Sequence, residues 1–545
     1  MYLSNIKDKN NYISKIFYFN KIKILLSLFW ISLVFLQWIL FNDQQDSIAT
    51  LLLIFGGIIG ITLIINKNYF IYYPISSVMI IGYLSYYFLL PPVATFIEGK
   101  SFTSNLYHPI EIMFHAFLNL TIIIITFILY QKTKILQKIR LFISHKIYYP
   151  IGMYVYPTNI QLFLMGIIGI TAMAYINFIA GGYQVNISGI FNKLLIGYYP
   201  FAYLPYIILI KKIFVNNNKI NRTWFVIIII YTILIAIISF ARNSRYALFS
   251  GIASILLTYA WGIISGYYKL KKIDYFRLLF FMIIFVSSIG FIADLAMTMV
   301  IVRQQRKKIT ALELIMESIH TMQNPEIIHA YKNNPSQSWD ENYVDNIFLA
   351  RLCNLKYADN SIDLENKMGT IARGYIKNIE IQKIYAIFPR PLIEKLNLPT
   401  DKDLVENASM GDFMLFAIIG DDTILGGFRT GSIFGIELTV WGWLYILIFG
   451  LLLLIIFPLS DSLTLQIKDK KQKENNISRT ILSPIAIINL FGWFVFLTSA
   501  AGGSESFVNL INYILRGWIQ LPFLYITLYW LINLFTKIFS PSYGK

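Results

Sequence analysis

The chain reads as an all-α polytopic membrane protein of about 12 transmembrane helices with one large, mainly helical extracytoplasmic loop. Three observations point there. Of 545 residues, 57% are hydrophobic and only 14% charged, with a mean hydropathy of +0.60, whereas a soluble globular chain carries roughly a quarter charged residues. Apolar runs of about 20 residues recur along the chain, each long enough to cross a bilayer core. Basic residues gather in alternate connections, the pattern that orients spans with their basic loops inside. The single Cys353 and the 5 His exclude an intrachain disulfide framework and a Cys- or His-built metal cage. Neither a metal nor another cofactor is expected.

The runs lie near 24–42, 49–66, 71–94, 110–130, 160–180, 194–210, 224–240, 246–266, 278–300, 433–457, 480–500 and 508–536. Lys7, Lys9, Lys15, Lys21 and Lys23 place the N terminus on the cytoplasmic side. Every connection on that side is then basic: Lys132 to Lys146, Lys211 to Arg222, Lys269 to Arg277 and Lys468 to Arg479. Twelve spans return the C terminus to the cytoplasm. The first run is long and is followed by no small-residue cleavage site, so it is expected to remain as a span.

The domain plan follows: residues 1–300 carry helices 1–9, 301–432 form the extracytoplasmic loop, and 433–545 carry helices 10–12. The loop holds 15 Lys and Arg against 17 Asp and Glu, a net of −2, which leaves 31 basic and 12 acidic residues, or +19, elsewhere. The overall charge of +17 therefore belongs to orientation and contact with anionic membrane lipid, and no nucleic-acid partner is expected. Within the loop Leu312–His320, Ser361–Ala372 and Gly374–Ile387 have helical patterns, separated by turns such as Asn333-Asn334-Pro335-Ser336. A connection this long usually carries function or its own fold.

The informative charges are those that orientation does not require. Arg242 and Arg245 sit on the short outward turn Ala241-Arg242-Asn243-Ser244-Arg245. Paired guanidinium forks there suit a diphosphate, snorkelling to headgroups being the alternative. Arg516 lies inside the last run, roughly 12 Å below its outer entrance, too deep for easy snorkelling, so it calls for a cavity or a carboxylate such as Glu437. Arg303 follows the ninth run, Arg390 stands in the rigid turn Phe388-Pro389-Arg390-Pro391, and Arg429 leads into the tenth run. Asp412, Glu437 and His320 are candidates for taking a proton from a hydroxyl. Ser499 to Ser506 is a small-residue turn able to let a ligand approach backbone.

Three stretches, in this order, resemble the Wzy-type polymerases, the oligosaccharide repeat unit polymerase family of O-antigen and capsular polysaccharide synthesis. They are Ala241-Arg242-Asn243-Ser244-Arg245-Tyr246, Ile387-Phe388-Pro389-Arg390-Pro391-Leu392-Ile393-Glu394-Lys395, and Thr430-Gly431-Ser432-Ile433-Phe434-Gly435-Ile436-Glu437-Leu438 followed by Trp441-Gly442-Trp443-Leu444. In the family the Glu commonly adjoins its Gly, whereas Ile436 intervenes here. The resemblance implies a bacterial inner-membrane glycosyltransferase, independent of metal, that uses undecaprenyl-diphosphate-linked oligosaccharides as donor and acceptor. It admits a chain-length regulator protein as a further partner. Negative charge accumulates on the leaving diphosphate, so fixed cations would stabilise the transition state beyond the ground state; Arg242, Arg245, Arg303, Arg390, Arg429 and Arg516 are the candidates. An O-antigen ligase differs only in acceptor. A GT-C glycosyltransferase would want an acidic first external loop, where Asp43 and Asp46 lie. A lipid-linked oligosaccharide flippase would hold its arginines in a central cavity.

Overall fold

The computed structural model describes residues 23–41, 46–179, 190–214, 221–241, 244–268, scattered positions between 274 and 302, 310–324, 326–328, 340–468, 478–499 and 503–539. Among them ten helices are long and apolar enough to cross a membrane: Lys23–Leu40, Ser47–Ile64, Pro74–Ile97, Pro109–Lys132, Asn159–Ile179, Phe191–Lys211, Arg222–Phe240, Tyr246–Ile264, Ile433–Asp461 and Phe507–Ile538. The architecture is all-α, polytopic and membrane-suited. Its surface shows why: along Arg222–Phe240 the residues Phe225, Val226, Ile229, Ile230, Ile233, Leu234 and Ile237 are exposed, and an apolar outer face is tolerable only against lipid. The inner faces pack closely. Pro109–Lys132 lies against Tyr445–Asp461 and Ser47–Ile64.

Two expected runs take other forms. The run at 278–300 lies largely outside the described residues. The run at 480–500 is not one helix; it divides into Pro484–Ile488 and Leu490–Val495, with Asn489 off helical geometry at φ −102° and ψ 11°. Interrupting a helix at membrane depth orphans backbone groups, which must find partners in protein. Here Ser254 supplies both: its hydroxyl donates to the Ile488 carbonyl at 2.9 Å and accepts from the Phe491 amide at 3.1 Å. The segment before this broken helix forms a short antiparallel hairpin, β1 (Thr464–Lys468) and β2 (Ser478–Leu482), pairing Thr464 with Leu482 through Lys468 with Ser478.

A cluster of short helices precedes the span Ile433–Asp461. It comprises α1 (Leu355–Lys367), α2 (Thr370–Ala386), α3 (Arg390–Lys395), α4 (Lys402–Glu406) and α5 (Met410–Ile419), and it leads to α6 (Ile433–Trp441), the first part of that span. The break between α1 and α2 falls at Met368-Gly369, a few residues before the expected one. Leu364, Met368, Ile376, Ile379, Met410, Phe413, Met414, Ile436 and Val440 form a core of their own, so α6 is shared between cluster and bundle. Gly435 makes the joint possible. A Cβ there would stand 2.3 Å from the Ser361 backbone, and the Ser432 amide donates to the Ser361 hydroxyl at 3.0 Å across the same seam.

Candidate functional site

The last span begins as a helix over Phe507–Asn512, widens into a π turn over Tyr513–Gly517 and resumes at Trp518. Single π turns inside α-helices often mark functional positions, because the extra residue redirects side chains. Gly517 permits this one, since a Cβ there would press on the Tyr513 ring at 2.9 Å. Arg516 lies in the wide turn, is exposed, and donates from Nε to Gln520.

Opposite this turn stands α2, packed on the helix Phe507–Asn512. Between them opens a cleft of about 230 Å³ whose lining includes Lys383, Val405, Glu406, Met410, Glu505, Asn509, Asn512 and Arg516. Lys383 projects its ammonium onto the carbonyls of Val405 at 2.6 Å and Ala408 at 2.7 Å. Burial holds this ammonium below its usual range, opposed by Glu505, Asp412 and Glu406. Lys402 donates to the Ala386 and Phe388 carbonyls, and Lys193 and Lys402 both pair with Glu406, at 3.6 and 3.5 Å. Burial also lowers Lys402; Glu406 opposes this, and the positive charges of Lys193 and Arg516 add to it. Four cations from four segments thus share one field, against the three carboxylates Glu505, Asp412 and Glu406.

Glu505 lines the same cleft, its oxygens accepting from the Met410 amide at 2.9 Å and the Gly431 amide at 3.2 Å. Burial pushes its carboxyl above the usual range, and Lys383 and the two amides work in the other direction. Its neighbour Asp412 is fully buried and committed. Asp412 closes the capping box of α5 with Ser409, accepts from the Phe428 amide at 2.8 Å and the Arg429 amide at 3.1 Å, and pairs with the Arg429 guanidinium at 3.2 Å. Arg429 spends a further bond on the Ile424 carbonyl at 2.8 Å. Both residues staple the loop into α6, which leaves Asp412 no route to a substrate hydroxyl.

Glu437 is also fully buried. One of its oxygens accepts from the Phe507 amide; the other, like both oxygens of Glu380 on α2, lacks a well-formed hydrogen bond. The two carboxyls face each other beside the Trp441 indole, and burial pushes Glu380 up to about 7. The pairing of Arg516 with Glu437 considered from the sequence is therefore not formed. Arg516 faces Gln520, and Glu437 turns toward the short-helix cluster.

The remaining candidates are spread out. Arg390 begins α3, is exposed and pairs with Asp403. His320 is exposed on the helix Ala311–Gln323, which packs on Arg222–Ala241. Arg245 opens the helix Arg245–Ile264, capped by Ser244; its side chain, and Arg242 and Arg303 altogether, lie outside the described residues. Lys383, Lys402 and Lys193 carry no sequence mark of their own. They become visible only when α2, α4 and the last span are placed together. Among the described residues no group of three or more His, Cys, Asp or Glu is placed to hold a metal ion. Comparison of the chain with protein-family models, curated proteins and solved structures gives no match.

Proposed function

We propose that the chain is a membrane glycosyltransferase that joins lipid-diphosphate-linked oligosaccharide repeat units at the outer face of the cytoplasmic membrane, with the short-helix cluster as an external cap. The observation that supports it is the cleft between α2 and the π turn of the last span, where Arg516 is exposed beside Lys383, within the field of Lys402 and Lys193. A lipid-borne diphosphate arrives laterally at such a membrane–cap boundary, and clustered cations stabilise the charge that grows on it as the glycosyl bond breaks. Glu505 on the same wall would accept the proton of the acceptor hydroxyl, its carboxyl raised above the usual range by burial. Asp412 is replaced in that role because it is fully buried and its oxygens accept four bonds from backbone and Arg429, whereas Glu505 accepts two and borders the cleft.

The test substitutes Arg516→Ala and Glu505→Gln singly in a cell that makes the polysaccharide and follows surface chain length. Single repeat units should accumulate while export continues. Unchanged long chains in both variants would reject the reading, and lipid-linked units trapped on the inner leaflet would favour a flippase instead.

A further inference from the structure

α2 borders a second opening. Arg373 near its start and Lys383 near its end are ten residues apart, about 15 Å along a helix, and Arg373 lines a groove of about 600 Å³ with Glu111, His115, Glu365, Asn366 and Trp443. One wall is aromatic. Trp443 is 59% exposed, stacks on His115 at 5.1 Å with the planes 13° apart, and meets the edge of Phe114 at 6.3 Å. His115 is itself fixed by Tyr445 at 2.6 Å and sandwiched by Phe434 on its other side. The backbone beside the indole is open, because Gly442 has φ +56° and nothing within 4 Å of where a Cβ would be.

The other wall is polar and net acidic. The Asn366 amide donates to Glu111 at 3.1 Å, and the Glu111 side chain stays 51% exposed. Arg373 is already occupied: its guanidinium pairs with the Glu365 carboxylate and donates to the carbonyls of Glu365 at 3.0 Å and Met368 at 3.2 Å. Two carboxylates against one satisfied guanidinium repel phosphate and anionic headgroups. A flat exposed indole facing carboxylate and amide oxygens matches a hexopyranose ring, with its C–H face for the aromatic wall and a rim of hydroxyl donors for the acceptors. An interfacial aromatic anchor would account for Trp443 alone, but not for the acidic rim opposite.

We infer that this groove binds a neutral or amino-substituted hexopyranose of a glycan chain. Its assignment to the acceptor rests on the proposed polymerase activity; sugar binding does not. The cationic cleft and the sugar groove then border opposite ends of one helix, which suits transfer between two lipid-borne glycans.

The experiment uses the full chain in detergent micelles and saturation-transfer NMR, with maltotriose and chitotriose as ligands. Ring C–H protons of at least one sugar should receive saturation. Affinity should fall about tenfold for Trp443→Ala and only a few-fold for Trp443→Phe, in keeping with an aromatic contact, and should be unchanged in Arg516→Ala. No transfer to either sugar, equal affinity in Trp443→Ala and Glu111→Gln, or equal transfer to glycerol 3-phosphate would overturn the inference. Sugar binding that persists while Arg516→Ala and Glu505→Gln cells both still make long chains would leave the groove standing and remove the polymerase reading.

Discussion

The facing carboxyls of Glu380 and Glu437 tie the stability of the cap–bundle seam to pH. Both residues are buried, at 1% and 0% exposure, and among the described residues neither makes an ion pair. The charged groups around them are few. Lys377 on α2 lies over the Trp441 ring at 5.6 Å, and Lys383, one turn on from Glu380, is committed to the carbonyls of Val405 and Ala408. Burial raises Glu380 from about 4.5 to about 7, and each unit is worth about 1.4 kcal/mol, so the seam loses about 3 kcal/mol once Glu380 must ionise. The folded state holds the Glu380 proton longer than the unfolded one, so the contribution of this group to stability falls as pH rises from about 4.5 through 7 and is level above that. Glu380→Gln removes the titration of this group and keeps a neutral donor for Glu437. Thermal unfolding in detergent from pH 5 to 8 should therefore show the variant gaining on the wild type with pH, by a few degrees at pH 8. A difference that is flat with pH, or that shrinks as pH rises, would refute the reasoning.

Other expectations follow from particular contacts. Ser254→Ala leaves a buried carbonyl and amide unpartnered and should cost about 1–3 kcal/mol, read as a lower unfolding temperature; Ser254→Thr should retain most of it. Gly435→Val drives a side chain into the Ser361 backbone and should cost at least about 1–3 kcal/mol, loosening the cap and speeding its cleavage by an added protease. Asp461→Ala removes the carboxylate that accepts from the Ile75 and Ser76 amides and the Ser76 hydroxyl and should cost about 2 kcal/mol as a lost cap, again by thermal unfolding. Arg429→Ala strips the partner from a fully buried carboxylate and should destabilise by about 3 kcal/mol or more, where Arg390→Ala, exposed and paired only with Asp403, should stay within about 1 kcal/mol.

Most of the bundle was legible because lipid imposes one rule on every span: backbone bonds closed within the helix, and apolar side chains around it. The rule fails to announce its exceptions. Asn489 divides the 480–500 run although its composition matches an ordinary span, because the partner that makes the break tolerable, Ser254, lies over 200 residues earlier. The hairpin at 464–482 was hidden under basic residues that read as a cytoplasmic loop. At the site, Arg516 stood out as a charge in an apolar run, and the π turn that carries it into the cleft left only Gly517 as a trace. Lys383 and Glu380 sit in an amphipathic helix whose charged residues look like a solvated face. Their burial depends on α5, α6 and the last span closing over them. Glu437 could be seen as a carboxylate at a span entrance, but which group it would face depended on the tilt of α6 toward Ser361.

The split at Asn489 also bears on how the polypeptide is assembled. Spans enter the membrane from the N terminus during synthesis, so the helix holding Ser254 is already in place when residues 484–499 emerge. The later segment exposes one carbonyl and one amide that hydrocarbon will not solvate, and a single hydroxyl, waiting since much earlier in translation, receives both. Integration of the later segment is thereby made conditional on correct docking against an older neighbour. A chain whose earlier helices had misaligned would present no berth, and its C-terminal end, from Pro484 onward, would stall before the final helix could close the molecule.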